Sequence, residues 1–258
     1  YKVSMVSVCE VRRLITSMSP KSSSVDFIPT SLLKLCPFVF SELITTLANL
    51  SFSQGVFPSK FKVAAVIPLL KKPSLDSDNP ANYRPISNLN NISKILERLF
   101  LSRLNPHVTC SPHFDHFQSA YRPYHSTETA LLHTFDNIYC SADSSQPTLL
   151  VSLDLSAAFD TIDLSVLLSR LSTSFGINGT ALAWLSSYLL NRSQIIRIGS
   201  SSSDPSSCPS GVPQGSVLGP ILFTLYISPI GQIISSSGIS HQQYADDAQL
   251  YIALKTTN

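Results

Sequence analysis

No charged residue lies between Asp204 and Asp246, and that silent stretch ends on two adjacent carboxylates, Asp246 and Asp247. Neighbouring carboxylates oppose each other's ionisation unless a cation neutralises them. The flanks narrow the choice of backbone. Residues 242–253 read as two short strands joined by a tight turn at Ala245–Asp247. On such a hairpin both acids can approach one ion. An isolated Asp-Asp is more often a solvated turn, because Asp is a common turn residue, so the pair gains meaning only from partners elsewhere in the chain.

The rest of the chain can supply a packed scaffold. Of 258 residues, 43% are hydrophobic and 13% charged, which is enough apolar surface to offset ordering entropy. Cys9, Cys36, Cys110, Cys140 and Cys208 are odd in number and scattered, with no CxxC spacing. That argues against a disulfide scaffold or a structural zinc site and for free thiols in a reducing compartment. No basic run precedes an apolar one at Tyr1, so no signal peptide is visible, and a fragment of a longer protein is expected. Residues 60–103 carry eight Lys/Arg against three Asp/Glu, net +5, whereas 104–258 carry five against ten, net −5. Basic groups can hold phosphates and clustered carboxylates a divalent metal; a solvated surface gives the same asymmetry.

Periodicity predicts helices over 5–18, from Ser31 to about Phe52 with a break at Pro37, and over 91–105, 126–140, 164–174 and 179–190. In the 91–105 helix, Ile92, Ile95, Leu96, Leu99 and Phe100 share a face, with Lys94, Glu97, Arg98 and Arg103 mostly off it. FKVAAVIPLLKK and QIIRI read as strands, TLLVSLD (148–154) as a buried strand, and LDSDNPANYRPIS as a loop. VLGPILFTLYISPIGQII (217–234) is long enough to raise the question of a membrane span. Gly219, Pro220, Ser228, Pro229, Gly231 and Gln232 interrupt it, so it reads as a helix buried in a globular core.

Four features could do chemistry. Asp246 and Asp247 are the first. Asp154, ending an apolar run before a small-residue turn, is the second, because the C-terminal end of a strand is a common ligand position; Asp160 and Asp163 fit a helix start better. If Asp154 and Asp246 converge, they suit two magnesium ions in an in-line phosphoryl displacement. The third is GVPQGSVLGP, where Gly211 and Gly215 around Gln214 permit close backbone approach to a ligand, or simply cap a helix. The fourth is Lys71-Lys72 followed by Arg84, a point charge and a fork that suit a triphosphate, or a solvated basic loop. The six histidines lack HExxH spacing and read as ordinary surface or core residues.

Taken in order, FPSKFKVAAVIPLLKK, NYRPISNLNNISKILER, QSAYRPYHSTETALL, VSLDLSAAFDTID, SGVPQGSVLGPILFTLYI and YADDAQLY resemble the reverse transcriptase of non-LTR (LINE-type) retrotransposons of the Jockey/CR1/Rex sort. The resemblance implies an α+β right-hand polymerase with a small antiparallel palm sheet packed on helices. Residues 1–55 would form a helical extension, about 56–145 the fingers and about 146–258 the palm, with the thumb missing. It implies Asp154, Asp246 and Asp247 as catalytic ligands of two magnesium ions, or manganese in their place. Phe159 would lie under the nucleotide sugar and disfavour a 2′-hydroxyl, and Gln214 and Gly215 would border the incoming nucleotide and template. Lys71 or Lys72, with Arg84, would hold the triphosphate. The partners implied are an RNA template, a DNA primer and deoxynucleoside triphosphates, with no membrane and no inferable protein partner. Intracellular action, in nucleus or cytoplasm, is implied as well. QSAYR has Ala120 where the family usually has Gly, and KSSSVDFIP lacks a Gly often found there. The alternatives are an inactive remnant with weak nucleic-acid binding and a metal-dependent phosphodiesterase.

Overall fold

The computed structural model describes residues 1–254. Its helices are α1 (Val8–Ser17), α2 (Thr30–Leu35), α3 (Pro37–Gln54), α4 (Asn91–Thr109), α5 (Thr127–Asp143), α6 (Leu164–Thr173), α7 (Gly179–Leu189), α8 (Gly219–Ile227) and α9 (Pro229–Ser236). The strands are β1 (Val63–Leu70), β2 (Tyr83–Asn88), β3 (Thr148–Asp154), β4 (Arg192–Ile198), β5 (Ser201–Ser202), β6 (Ser206–Cys208), β7 (Ser240–Tyr244) and β8 (Asp247–Ala253). The chain is mixed α and β, and it divides into two compact units. One joins residues 1–108 to 159–219; the other joins 109–158 to the segment from Pro220 onward.

In the first unit β1 pairs antiparallel with β2 and parallel with β4, and β4 also carries β5 and β6. The segment Tyr83–Ser87 is strand here, a correction to the loop expected from its polarity and Pro85. Proline is tolerated because β2 is an edge strand and Pro85 stands opposite Pro68, beyond the residues of β1 that pair with β4. The core beside this sheet is aromatic. Trp184 stacks on Phe100 at 4.2 Å and 9°, lies parallel to Tyr188 at 5.8 Å, and meets Phe52 and Phe57 edge-on. Each such pair contributes about 0.5–1.5 kcal/mol beyond its buried area. The indole N–H is satisfied by Ser51 Oγ at 2.8 Å. Gly55 ends α3 with φ 66°, and a Cβ there would sit 2.9 Å from that of Ala183 on α7, so the glycine permits both the left-handed cap and the close helix approach.

The apolar face of α4 is buried as expected, but Glu97 is fully buried with it, contrary to its expected place off that face. Four donors stabilise its carboxylate there: Ser93 Oγ, Tyr188 Oη, and the backbone N–H groups of Val217 and Leu218. A buried acid tolerated in this way shows no charge-pattern signature in the sequence.

In the second unit the sheet order is β3-β8-β7, all antiparallel. The expected burial of 148–154 is overturned: Leu149 is 52% and Leu153 49% exposed. Among the described residues β3 is an edge strand paired only with β8, so its apolar side chains lack the two-sided cover that a continuous hydrophobic run usually signals. The span 217–234 is two helices rather than one, parted at Ser228-Pro229, where proline has no N–H to give and crowds the preceding turn. Among the described residues no helix is long and apolar enough to cross a membrane.

Candidate active site

The hairpin of β7 and β8 carries Asp246 and Asp247. Tyr244 pairs with Asp247, leaving Ala245 and Asp246 as a two-residue turn. Ala245 has φ 56°, a left-handed conformation that costs any residue with a Cβ. What holds it is Gln118, a buried side chain whose Oε1 accepts from the N–H of Ala245 at 2.9 Å and whose Nε2 donates to the carbonyl of Ala245 at 3.1 Å. The same Oε1 accepts from Ala120 N–H at 3.0 Å, tying QSAYR to the turn.

β3 brings the third acid. In the β3–β8 ladder Asp154 stands directly opposite Asp247. Cross-strand neighbours lie about 4.5–5.5 Å apart at Cα, and like charges so placed repel. Asp154 and Asp247 are exposed and Asp246 is half-buried. Asp246 also acts on Tyr121, whose phenol is pushed up first by burial and then by the negative fields of Asp246 and Tyr244. The donor set is three carboxylates at one end of a sheet, hard oxygen donors of the kind that suit magnesium. Two of them stand across the ladder from each other, where like charges repel, and a cation held there would relieve that repulsion. Among the described residues no three His, Cys, Asp or Glu side chains are gathered closely enough to enclose an ion. The backbone register thus juxtaposes the acids without closing them into a cage.

The remaining expected residues lie in the first unit. Ser87 N–H donates to the carbonyl of Gln214 at 2.8 Å. Gly215, at φ 113°, passes so close to β2 that a Cβ would stand 2.6 Å from the Ser87 carbonyl oxygen. The Gln214 side-chain amide donates to Asp160 Oδ2 at 2.9 Å, and the carbonyl of Phe159 accepts from Val212 N–H at 2.9 Å. Gln214, Gly215 and Phe159 are therefore brought together. Asp160 is not the helix-start residue its position suggested. Desolvation raises its carboxyl pKa, with the Gln214 hydrogen bond opposing. Asp163 does cap α6, accepting from Ser165 and Val166 N–H. Asp160, Gln214, Pro85, Ser87, Gln194 and Arg192 line a cavity of about 360 Å³.

Lys71 and Lys72 follow the end of β1, and Arg84 sits on β2 opposite Leu69; all three are exposed. Lys71 Nζ donates to the Ala81 carbonyl at 2.8 Å, so its charge is turned onto its own loop. That loop is further pinned by Asn82 to the Asp76 carbonyl and by Tyr83 Oη to the Ser77 carbonyl. Gln118 and Glu97 were not singled out from the sequence. Each is a polar side chain whose importance comes from backbone groups far along the chain, which no local pattern announces.

Residues 70–257 match the family described as reverse transcriptase (RNA-dependent DNA polymerase). The chain is 30% identical over 226 residues to a probable RNA-directed DNA polymerase from transposon BS of Drosophila melanogaster, covering 87% of this chain and 25% of that protein. It is 32% identical to the corresponding protein from transposon X-element of the same fly, covering 84% and 24%. With the RNA-directed DNA polymerase from the mobile element jockey, also of Drosophila melanogaster, it shares 26% identity over 98% of this chain and 28% of that protein. The chain thus spans about a quarter of the length of these relatives. Its fold is similar to an apo telomerase from Candida tropicalis truncated from its C-terminal domain, with a TM-score of 0.52 at 12% identity, over 84% of this chain and 49% of the other. With three acids at one end of an antiparallel sheet, and 188 of its residues matched to one family, the chain belongs to the reverse transcriptases, homologous to those of the non-LTR retrotransposons jockey, X-element and BS.

Proposed function

We propose that this chain carries the fingers and palm portions of an RNA-directed DNA polymerase, acting inside the cell on an RNA template and a DNA primer. Fingers would span about 56–145 and palm about 146–258, behind a helical extension over 1–55. The observation that carries the reading is the register that sets Asp154 opposite Asp247, with Asp246 in the adjoining turn. The reaction is attack of the primer 3′-hydroxyl on the α-phosphate of a deoxynucleoside triphosphate. Two magnesium ions, or manganese, held by Asp154, Asp246 and Asp247, would supply charge for the attacking and leaving oxygens. Lys71 or Lys72, with Arg84, holds the triphosphate; Lys71 would first have to leave the Ala81 carbonyl. Phe159 limits the space beside the sugar, and Gln214 and Gly215 border nucleotide and template. Base pairing supplies the sequence specificity.

Primer extension on an RNA template tests this. Asp246→Ala is expected to reduce extension by about 10³-fold or more, on the scale of lost transition-state charge stabilisation; extension that survives the substitution rejects the metal roles. A second reading is a remnant that binds nucleic acid weakly without turnover. The net charge of +2 favours it, because phosphate neutralisation supplies most non-specific affinity. Ordinary extension rates by the wild-type chain would dismiss that reading.

A further inference from the structure

The loop carrying Gln214 and Gly215 is gripped from both ends by one continuous segment of chain, residues 87–97. At the front, Ser87 on β2 donates its N–H to the Gln214 carbonyl, and its own carbonyl oxygen leaves no room for a Cβ at Gly215. At the rear, one oxygen of Glu97 on α4 accepts from Val217 N–H at 2.7 Å and from Leu218 N–H at 3.1 Å. These two N–H groups immediately precede α8, where the ladder of intrahelical bonds cannot yet satisfy them. Ser216 Oγ takes the next, Gly219 N–H, at 3.0 Å. The same Glu97 oxygen accepts from Tyr188 Oη at 3.1 Å, and the other from Ser93 Oγ at 2.9 Å.

No cation stands within ion-pair distance of Glu97 among the described residues; the ion pairs there are Arg103–Glu10 and His241–Asp115. A fully buried carboxylate without a counter-ion is costly, and one that spends three of its four hydrogen bonds on a single oxygen aims that oxygen. An acid serving only the core could be replaced, together with its Ser93 and Tyr188 donors, by apolar side chains at little loss. Here the apolar replacement would strand two backbone donors beside the PQG loop.

We propose that Glu97 is a positioning residue for the PQG loop: through Val217 and Leu218 it sets where Gln214 and Gly215 stand. The role in catalysis rests on the polymerase reading; the grip on the loop does not. Glu97→Met removes the acceptor at similar volume. Glu97→Gln keeps one oxygen for the two N–H groups. Ser93→Ala removes a donor to the other oxygen of the same carboxylate and leaves the contacts to Val217 and Leu218 alone.

The first measurement is backbone hydrogen exchange, which needs no activity. In the wild-type chain the Val217 and Leu218 amides are expected to be protected; exchange at solvent rates would overturn the proposal even if every variant failed to fold. Glu97→Met is expected to speed both amides about tenfold or more, Glu97→Gln to restore them to within about threefold, and Ser93→Ala to leave them unchanged. The second measurement is primer extension. Glu97→Met should raise the nucleotide KM about tenfold with kcat changed less than about threefold, again with rescue by Gln. The positioning role is wrong if Met leaves the amides and KM where they were, or if Ser93→Ala moves them as far as Met does. A wild-type chain that extends no primer while the exchange pattern holds sinks the polymerase reading and leaves the grip standing.

Discussion

Gly215 shows how much one missing Cβ can decide. At φ 113° an L side chain is strained, and a methyl group would stand 2.6 Å from the carbonyl oxygen of Ser87, a backbone atom that cannot swing aside. Gly215→Ala is therefore expected to destabilise the first unit by about 1–3 kcal/mol, read as a lower midpoint in urea unfolding. An unchanged midpoint would mean that the loop does not sit against β2. In the sequence Gly215 already suggested close approach to something, and a ligand and a helix cap were both open. The structure adds the first neighbour, β2, which no spacing in GVPQG could name because Ser87 lies more than a hundred residues earlier. Asp246 is the opposite case. Its turn position followed from two short strands joined by a tight turn at Ala245–Asp247, which is local information, although the structure gives Asp247 to β8.

At the scale of elements, the β7–β8 hairpin depends on a side chain outside itself. Ala245 occupies a left-handed position that favours glycine, and Gln118 offsets the strain by satisfying both its backbone N–H and its carbonyl. Removing the amide leaves those buried groups unpaired, at about 1–3 kcal/mol each. Gln118→Ala is expected to accelerate hydrogen exchange at Ala245 by at least about tenfold and to lower primer extension, while β1, β2 and β4 in the other unit keep their protection. Uniform loss of protection in both units would show a global folding defect instead. Helices with strong apolar periodicity were legible: α3 starts at Pro37 where the break was expected, and α6 and α7 fall on the helices expected over 164–174 and 179–190. β2 was not, because its polar residues and Pro85 belong to an edge strand, where pairing on one side suffices and no hydrophobic run is required.

At the scale of the whole molecule, β3 is an exposed apolar edge strand among the described residues. Its outer edge has unpaired backbone groups, and Leu149, Leu150, Val151 and Leu153 are all exposed. A long apolar edge strand is a template for pairing with another chain. Val151→Lys is expected to reduce self-association of the 258-residue chain severalfold, measured by light scattering against concentration, without altering its circular dichroism. Equal scattering from both proteins would show that this edge is not the contact.

The sequence by itself determined the family, the three acids and most helices, because ordered motifs and apolar periodicity are written in neighbouring residues. It also determined that Asp246 would sit in a hairpin turn. Only the tertiary structure decided that Asp154 faces Asp247 across a ladder, that β3 is an edge rather than a buried strand, and that Glu97 and Gln118 are bound to loops more than a hundred residues away in the chain. The reason is physical. Periodicity reports which side of an element avoids water, whereas register, edges and buried hydrogen bonds depend on which distant backbone groups arrive beside it.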